Sequence, residues 1–127
     1  PILFKKNYRL FKNVFQSERY LSILPQQFSL SFLHFRTLNH RLPIQRGRFI
    51  GVLRKERVCN LCNNGDIGDE FHYVFQCNYF NNDRNNLIPS YYRNKPNVIK
   101  FFELFTTTKK KTLIQLARFL QLVMKNV

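Results

Sequence analysis

VCNLCNNGDIGDEFHYVFQC, residues 58 to 77, holds all three cysteines of the chain and one of its three histidines. The spacing is Cys59-x2-Cys62-x9-His72-x4-Cys77. Zinc takes four nitrogen or sulfur ligands in a tetrahedron, and two cysteines separated by two residues can chelate it from one tight turn. The second pair has to return to the same point, and Asn63-Asn64-Gly65 supplies a strong turn signal in the interval between them. That second pair poses a geometric problem. In a regular helix, positions five apart diverge by about 140°. If His72 and Cys77 bind one ion, a helix starting near Asp69 must end or unwind by Cys77. Four protein ligands leave such an ion no open position for water, so its expected work is to fold the segment, not to catalyse.

Other readings of these residues fit less well. Buried free cysteine is common, and a single Cys-x2-Cys is often incidental; here, however, three cysteines and a histidine fall within 19 residues. Three cysteines cannot all pair within the chain. A redox pair would suit a βαβ context that this pattern lacks. Asp69-Glu70-Phe71-His72 imitates a helicase box, but no G-x-x-x-x-G-K-[ST] phosphate-binding sequence accompanies it. A Mg²⁺ nuclease built on Asp66, Asp69, Glu70 and His72 would require His72 to serve two different metals.

Outward from this segment, hydrophobic spacing predicts a mainly α protein: one small helical domain over residues 1–127 with a zinc-knuckle-like CCHC loop at 58–78. Phe4, Tyr8, Phe11 and Phe15 recur at helical spacing over residues 3 to 15, and a short helical piece follows over 18 to 24. Pro25 fits the first turn of a helix to about Leu38 that faces Phe28, Phe32 and Phe35 to the core, with His34 packed among them. Residues 39 to 58 lose periodicity and read as an ordered loop. After the cysteines, Asn78 is the expected cap of a helix over 79 to 88, stopped by Pro89. Val98, Phe101, Phe102 and Phe105 predict another helix. The last, about 110 to 125, carries Leu113, Leu116, Leu120 and Met124 on a stripe widened by Ile114, Phe119, Leu122 and Val123. A stripe that wide is either central to the core or docks on a partner.

The 127 residues carry 21 Lys and Arg against 7 acids, a formal charge of +14. Such an imbalance repels itself unless something negative neutralises it, and nucleic acid is the usual partner. RTLNHRLPIQRGRFIGVLRKER, residues 36 to 57, concentrates the charge in Arg36, Arg41, Arg46, Arg48, Arg54, Lys55 and Arg57, against Glu56 alone. Arginine's planar fork suits bidentate phosphate contact, and Phe49 and His40 could stack on exposed bases. One or two of these arginines are expected to pair with Asp66, Asp69 or Glu70 instead. Lys109-Lys110-Lys111 is expected to project from a loop ahead of the last helix. An anionic membrane surface is the next candidate after nucleic acid for such a charge; no apolar run approaches the roughly 20 residues of a membrane span, and the expected partners are RNA or DNA with no membrane. Pro1-Ile2-Leu3-Phe4, followed at once by Lys5 and Lys6, does not read as a signal peptide, and a start on Pro suggests a piece of a longer protein.

HFRTLNHRLPIQRGRF (34 to 49), RKERVCNLCNNGDIGDEFHYVFQC (54 to 77) and NYFNNDRNNL (78 to 87), with the earlier YRLFKNVFQSERYL (8 to 21), resemble the C-terminal region of non-LTR (LINE-like) retrotransposon reverse transcriptases of invertebrates. The resemblance covers about residues 5 to 90 and implies a zinc knuckle that follows the polymerase and helps grip template RNA or target DNA. It maps the Zn²⁺ ligands onto Cys59, Cys62, His72 and Cys77. The polymerase itself is absent, since the chain has no Tyr-x-Asp-Asp sequence. The expected function is therefore a zinc-stabilised nucleic-acid-binding module, intracellular and nuclear, not an enzyme alone. Arg41, Arg46, Arg48, Arg54, Lys55 and Arg57 would hold phosphates and Phe49 would offer a stacking face. The alternatives are a scaffold docked on the upstream polymerase domain of the parent chain, or a non-functional genomic remnant.

Overall fold

The computed structural model describes Phe35 and residues 42–127. Arg41 and the helices expected over 3–15, 18–24 and 25–38 lie outside the described residues, apart from Phe35, which is helical and buried. The described chain is mainly helical. Its order is α1 (Pro43–Phe49), a 3₁₀ turn at Arg54–Glu56, a π turn at His72–Gln76, a 3₁₀ turn at Asn78–Phe80 leading into α2 (Asn81–Leu87), α3 (Ser90–Arg93), α4 (Val98–Phe105) and α5 (Lys110–Asn126). Among the described residues the only extended pairing is one antiparallel bridge between Val58 and Ile67.

α1 corrects the expectation of a loop over 39 to 58. Pro43 stands at the start of the helix, where its fixed φ favours helical geometry and its missing N–H costs nothing. The Leu42 carbonyl accepts from the Gln45 and Arg46 amides, both at 2.9 Å. The buried positions of α1 are Ile44, Gln45 and Gly47. Only one of these is a large apolar residue, so no hydrophobic period marks the helix in the sequence. Gly47 is required by close approach: a Cβ there would stand 2.5 Å from Arg57 Cγ.

The two C-terminal helices form where the periodicity predicts them. In α4 the Asn97 side chain caps the N-terminus by accepting from the Lys100 amide at 2.8 Å; losing such a cap costs about 1 kcal/mol. α5 buries Leu113, Leu116, Ala117, Phe119, Leu120 and Val123. Its wide apolar stripe is thus spent inside the molecule, and each fully buried Leu or Phe contributes roughly 1.5–3 kcal/mol. Aromatic rings carry the core from one helix to the next. Phe35 stacks on Phe105 at 5.5 Å, Phe71 and Phe75 each meet Phe101 at 6.0 Å, and Phe80 meets Phe119 edge-on at 6.0 Å.

Two expectations about helix starts are also corrected. Asn78 opens a 3₁₀ turn and its side chain does not cap a backbone amide; its Oδ1 instead accepts from the Asn81 side-chain amide at 3.5 Å. Only Lys109 precedes α5, at its N-cap, while Lys110 and Lys111 lie in its first turn, exposed. The helix dipole disfavours cations there, and the buried face of α5 outweighs it.

Candidate metal centre and the basic segment beside it

Cys59 and Cys62 sit on the loop closed by the Val58–Ile67 bridge and by a Cys59 amide to Asp66 carbonyl bond of 2.8 Å. The loop can turn this tightly because Asn63 (φ 57°) and Gly65 (φ 76°) take left-handed backbone conformations. The Leu61 amide lies 3.4 Å from Cys59 Sγ, so the turn itself aims an N–H at the sulfur. His72 is fixed from the other side, where its amide donates to Asp69 Oδ1 at 2.9 Å.

The difficulty with His72 and Cys77 is solved partly as the sequence required, since the helical stretch ends at Gln76, and partly by a widening that the sequence did not indicate. The Cys77 amide donates to the His72 carbonyl at 2.8 Å, an i→i+5 bond that closes a π turn. One enlarged turn carries Cys77 back above His72, and the chain then leaves in an extended conformation at Cys77 (ψ 121°).

Cys59 Sγ lies 3.7 Å from Cys77 Sγ, and Cys62 Sγ lies 3.5 Å from His72 Nε2. All four donor atoms fall within 4.8 Å of one another. Tetrahedral bonds of about 2.3 Å to sulfur and 2.0–2.1 Å to nitrogen imply edges of about 3.75 Å for S···S and 3.55 Å for S···N. The two close pairs match those edges. A separation of 3.7 Å is far beyond a disulfide, and the three cysteines are free. The cluster is therefore compatible with a metal ion such as zinc. Among the described residues this is the one group of Cys, His, Asp and Glu donors gathered closely enough to hold an ion; the carboxylates of the nuclease reading do not assemble.

The electrostatics of the site are asymmetric. Burial pushes the Cys59 thiol up, but the Tyr73 hydroxyl, the Leu61 and Cys62 amides and His72 outweigh it and bring the group from 9.0 down to about 6. The Tyr73 hydroxyl reaches no partner at strict hydrogen-bond geometry, yet its proximity to the sulfur still favours the thiolate. Burial, and then Cys59, in turn keep Tyr73 protonated. Cys77 goes the other way: burial first, and the neighbouring Cys59 sulfur, push it up to about 12. Without metal, the pair holds one proton near neutral pH, on Cys77. His72 Nδ1 is buried without a hydrogen-bond partner, and the Asp66 carboxylate stands 3.9 Å from it.

The basic segment is joined to this loop by main-chain bonds. The Ile44 amide of α1 donates to the Gly68 carbonyl at 3.1 Å, and the Gly68 amide donates to the Arg57 carbonyl at 2.8 Å. Gly68 also lies so close to the Pro43 ring that a Cβ would stand 2.7 Å from Pro43 Cγ. Arg46, Arg48, Arg54 and Lys55 are exposed on this segment. Phe49 is exposed at 81%, and Ile50 and Leu53 beside it at 69% and 60%. Arg57 differs, being half-buried with Nε donating to the Val52 carbonyl at 2.9 Å and Nη1 to the Ile44 carbonyl at 3.1 Å. Two of its donors are thus committed to holding α1 against the following turn. Arg54 lies near enough to Asp69 to favour its carboxylate, although burial dominates there and raises that group.

Sequence reasoning missed three residues of the site. Gly68 couples the two segments, Tyr73 backs Cys59, and Arg84 of α2 is buried with its guanidinium on the carbonyls of Val74, Tyr73 and Cys77. A single arginine in the polar stretch NNDRNN gives no signal of burial. Comparison with protein-family models, curated proteins and solved structures finds no match. No helix among the described residues is long and apolar enough to cross a membrane.

Proposed function

We propose that Cys59, Cys62, His72 and Cys77 bind one structural Zn²⁺, and that the chain is a nucleic-acid-binding module of the kind that follows the polymerase in non-LTR retrotransposon reverse transcriptases. Its ligand would be RNA template or target DNA, and its location the nucleus. The observation that carries the metal reading is the convergence of four donors within 4.8 Å of one another, two pairs of them at tetrahedral edge lengths, on a loop with little other regular structure. When bound, zinc would supply a fourfold cross-link, the form in which structural zinc contributes folding energy.

The chain's own residues extend that rigidity to the basic segment. Bonds from Gly68 to Ile44 and Arg57 hold α1 on the metal loop, so a fixed loop fixes the direction of Arg46 and Arg48. Those two, with Arg54 and Lys55, would contact phosphates, and Arg41 belongs to the same stretch of sequence. Arg57 contributes to the positive field while bracing α1. Phe49, nearly fully exposed, offers a face on which an unpaired base can stack.

Two measurements test the proposal. Elemental analysis of the purified chain should give one equivalent of zinc, and chelation should lower the melting temperature; less than one equivalent with an unchanged melt removes the metal centre. Binding to RNA or DNA should weaken steeply with salt, and changing Arg46, Arg48, Arg54 and Lys55 together to Ala should flatten the log–log slope by about one unit per lost phosphate contact. An unchanged slope removes the surface. A second reading, a scaffold docked on the polymerase domain, is favoured by the exposed apolar group Phe49, Ile50 and Leu53. It requires the chain to bind nucleic acid only weakly and without preference.

A further inference from the structure

Arg84 is 4% exposed, and its hydrogen bonds run to main-chain carbonyls and one side-chain amide. Nε donates to the Val74 carbonyl at 2.7 Å, while Nη2 donates to the carbonyls of Tyr73 at 2.9 Å and Cys77 at 3.0 Å. Nη1 is steadied by Asn81 Oδ1 at 2.9 Å, and the guanidinium carbon lies 5.8 Å from the Phe119 ring centre. The three carbonyls belong to the stretch that presents His72 and Cys77. The Tyr73 and Val74 carbonyls need an outside donor because the chain leaves the π turn at Cys77 and supplies no further helical amides to them, while the Cys77 carbonyl also accepts from the Phe80 amide at 3.2 Å. A buried cation also needs compensation, and no carboxylate is among its hydrogen-bond partners in the described residues. The nearby anionic group is the cysteine cluster; burial weakens the guanidinium's hold on its proton, and Cys77 opposes that loss.

We infer that Arg84 is a positioning residue for the metal centre, pinning the carbonyls around Cys77 and standing as the buried counter-charge to the metal-bound cluster. The inference rests on the metal reading proposed above. Three thiolates, a neutral imidazole and a divalent ion leave a net charge of −1 in a site whose Cys77 and His72 are fully buried. A guanidinium held at the Cys77 carbonyl offsets that charge without competing for the ligand atoms. Groups that orient metal ligands typically alter affinity by about 10–100-fold when removed. The charge adds a second signature. Without Arg84 the net −1 site loses its buried opposite charge, so a variant that removes the charge should lose more affinity than one that keeps it. Lysine keeps the charge but cannot reproduce the three-way fork.

The test uses the full chain at one pH, with Zn²⁺ competed against a chromophoric chelator and Co²⁺ absorption reporting tetrahedral ligation. Arg84→Gln should lose about 10–100-fold in Zn²⁺ affinity and alter the Co²⁺ bands, because the backbone that presents His72 and Cys77 is no longer pinned. Arg84→Lys should bind more weakly than wild type and more tightly than Arg84→Gln. Wild-type affinity and Co²⁺ bands in Arg84→Gln overturn the inference while leaving the metal centre standing; a wild-type chain that takes up neither Zn²⁺ nor Co²⁺ overturns both. Equal affinity losses in Arg84→Gln and Arg84→Lys overturn the counter-charge. Should Arg84→Gln fail to fold, Arg84→Lys decides: wild-type affinity and Co²⁺ bands overturn the inference.

Discussion

The cysteine loop, residues 58–77, and the C-terminal pair α4 and α5 sit in one core but are held by different physics. α5 alone buries six side chains along one continuous face, and its order follows from removing that face from water. The loop has one bridge, a π turn and a few main-chain bonds, and its defining feature in space is the meeting of four donor atoms. The helices need no ligand to define them. The loop gathers three sulfur atoms and an imidazole in a buried site, where a divalent ion would replace mutual crowding with four bonds. A single protein can thus combine a region specified by area with one specified by a point.

The largest separation between the two regions should come from Cys77→Ser. It should abolish stoichiometric zinc binding and destabilise the loop, while far-ultraviolet circular dichroism retains the signal of the helices; retained zinc would break the contrast. Next is Phe119→Ala in α5, which removes a fully buried ring against Phe80 and should cost about 3–5 kcal/mol in denaturant melts with zinc stoichiometry intact. Gly68→Ala lies on the seam between loop and basic helix. Its Cβ would meet the Pro43 ring, and about 1–3 kcal/mol of destabilisation is expected, together with weaker nucleic-acid binding. If the melt falls and binding holds, the loop does not orient α1.

The smallest effect belongs to pH in the metal-free protein. Cys59 is held near 6 against an ordinary 9.0, so its folded thiolate contributes stability that is fully present above pH 9 and lost as pH falls through 6. Cys77 is raised to about 12, so its contribution is present below pH 9 and lost as pH rises through 12. Together this pair makes the chelator-treated chain gain stability from pH 6 to 9 and lose it from 9 towards 12. Melting at pH 6.5 and 8.5 checks the first limb, and equal midpoints would contradict it. With zinc bound, both thiols are deprotonated and the upper limb should disappear.

What the sequence alone carried was local and periodic. The spacing of apolar residues gave α4 and α5 close to their observed ends, because a helix repeats every 3.6 residues and the core selects one face. The cysteine and histidine spacing identified the four donors, because metal chemistry restricts residue types more strongly than it restricts their neighbours. Tertiary structure decided the rest. α1 escaped notice because its buried face is Ile44, Gln45 and Gly47, chosen by contact with Arg57 and Gly68 and not by hydrophobicity. The π turn depends on a single amide choosing a carbonyl five residues back, and Arg84 is buried only because three carbonyls from another segment meet it there. Periodicity records what one element offers the core; which element answers it is settled only when distant segments touch.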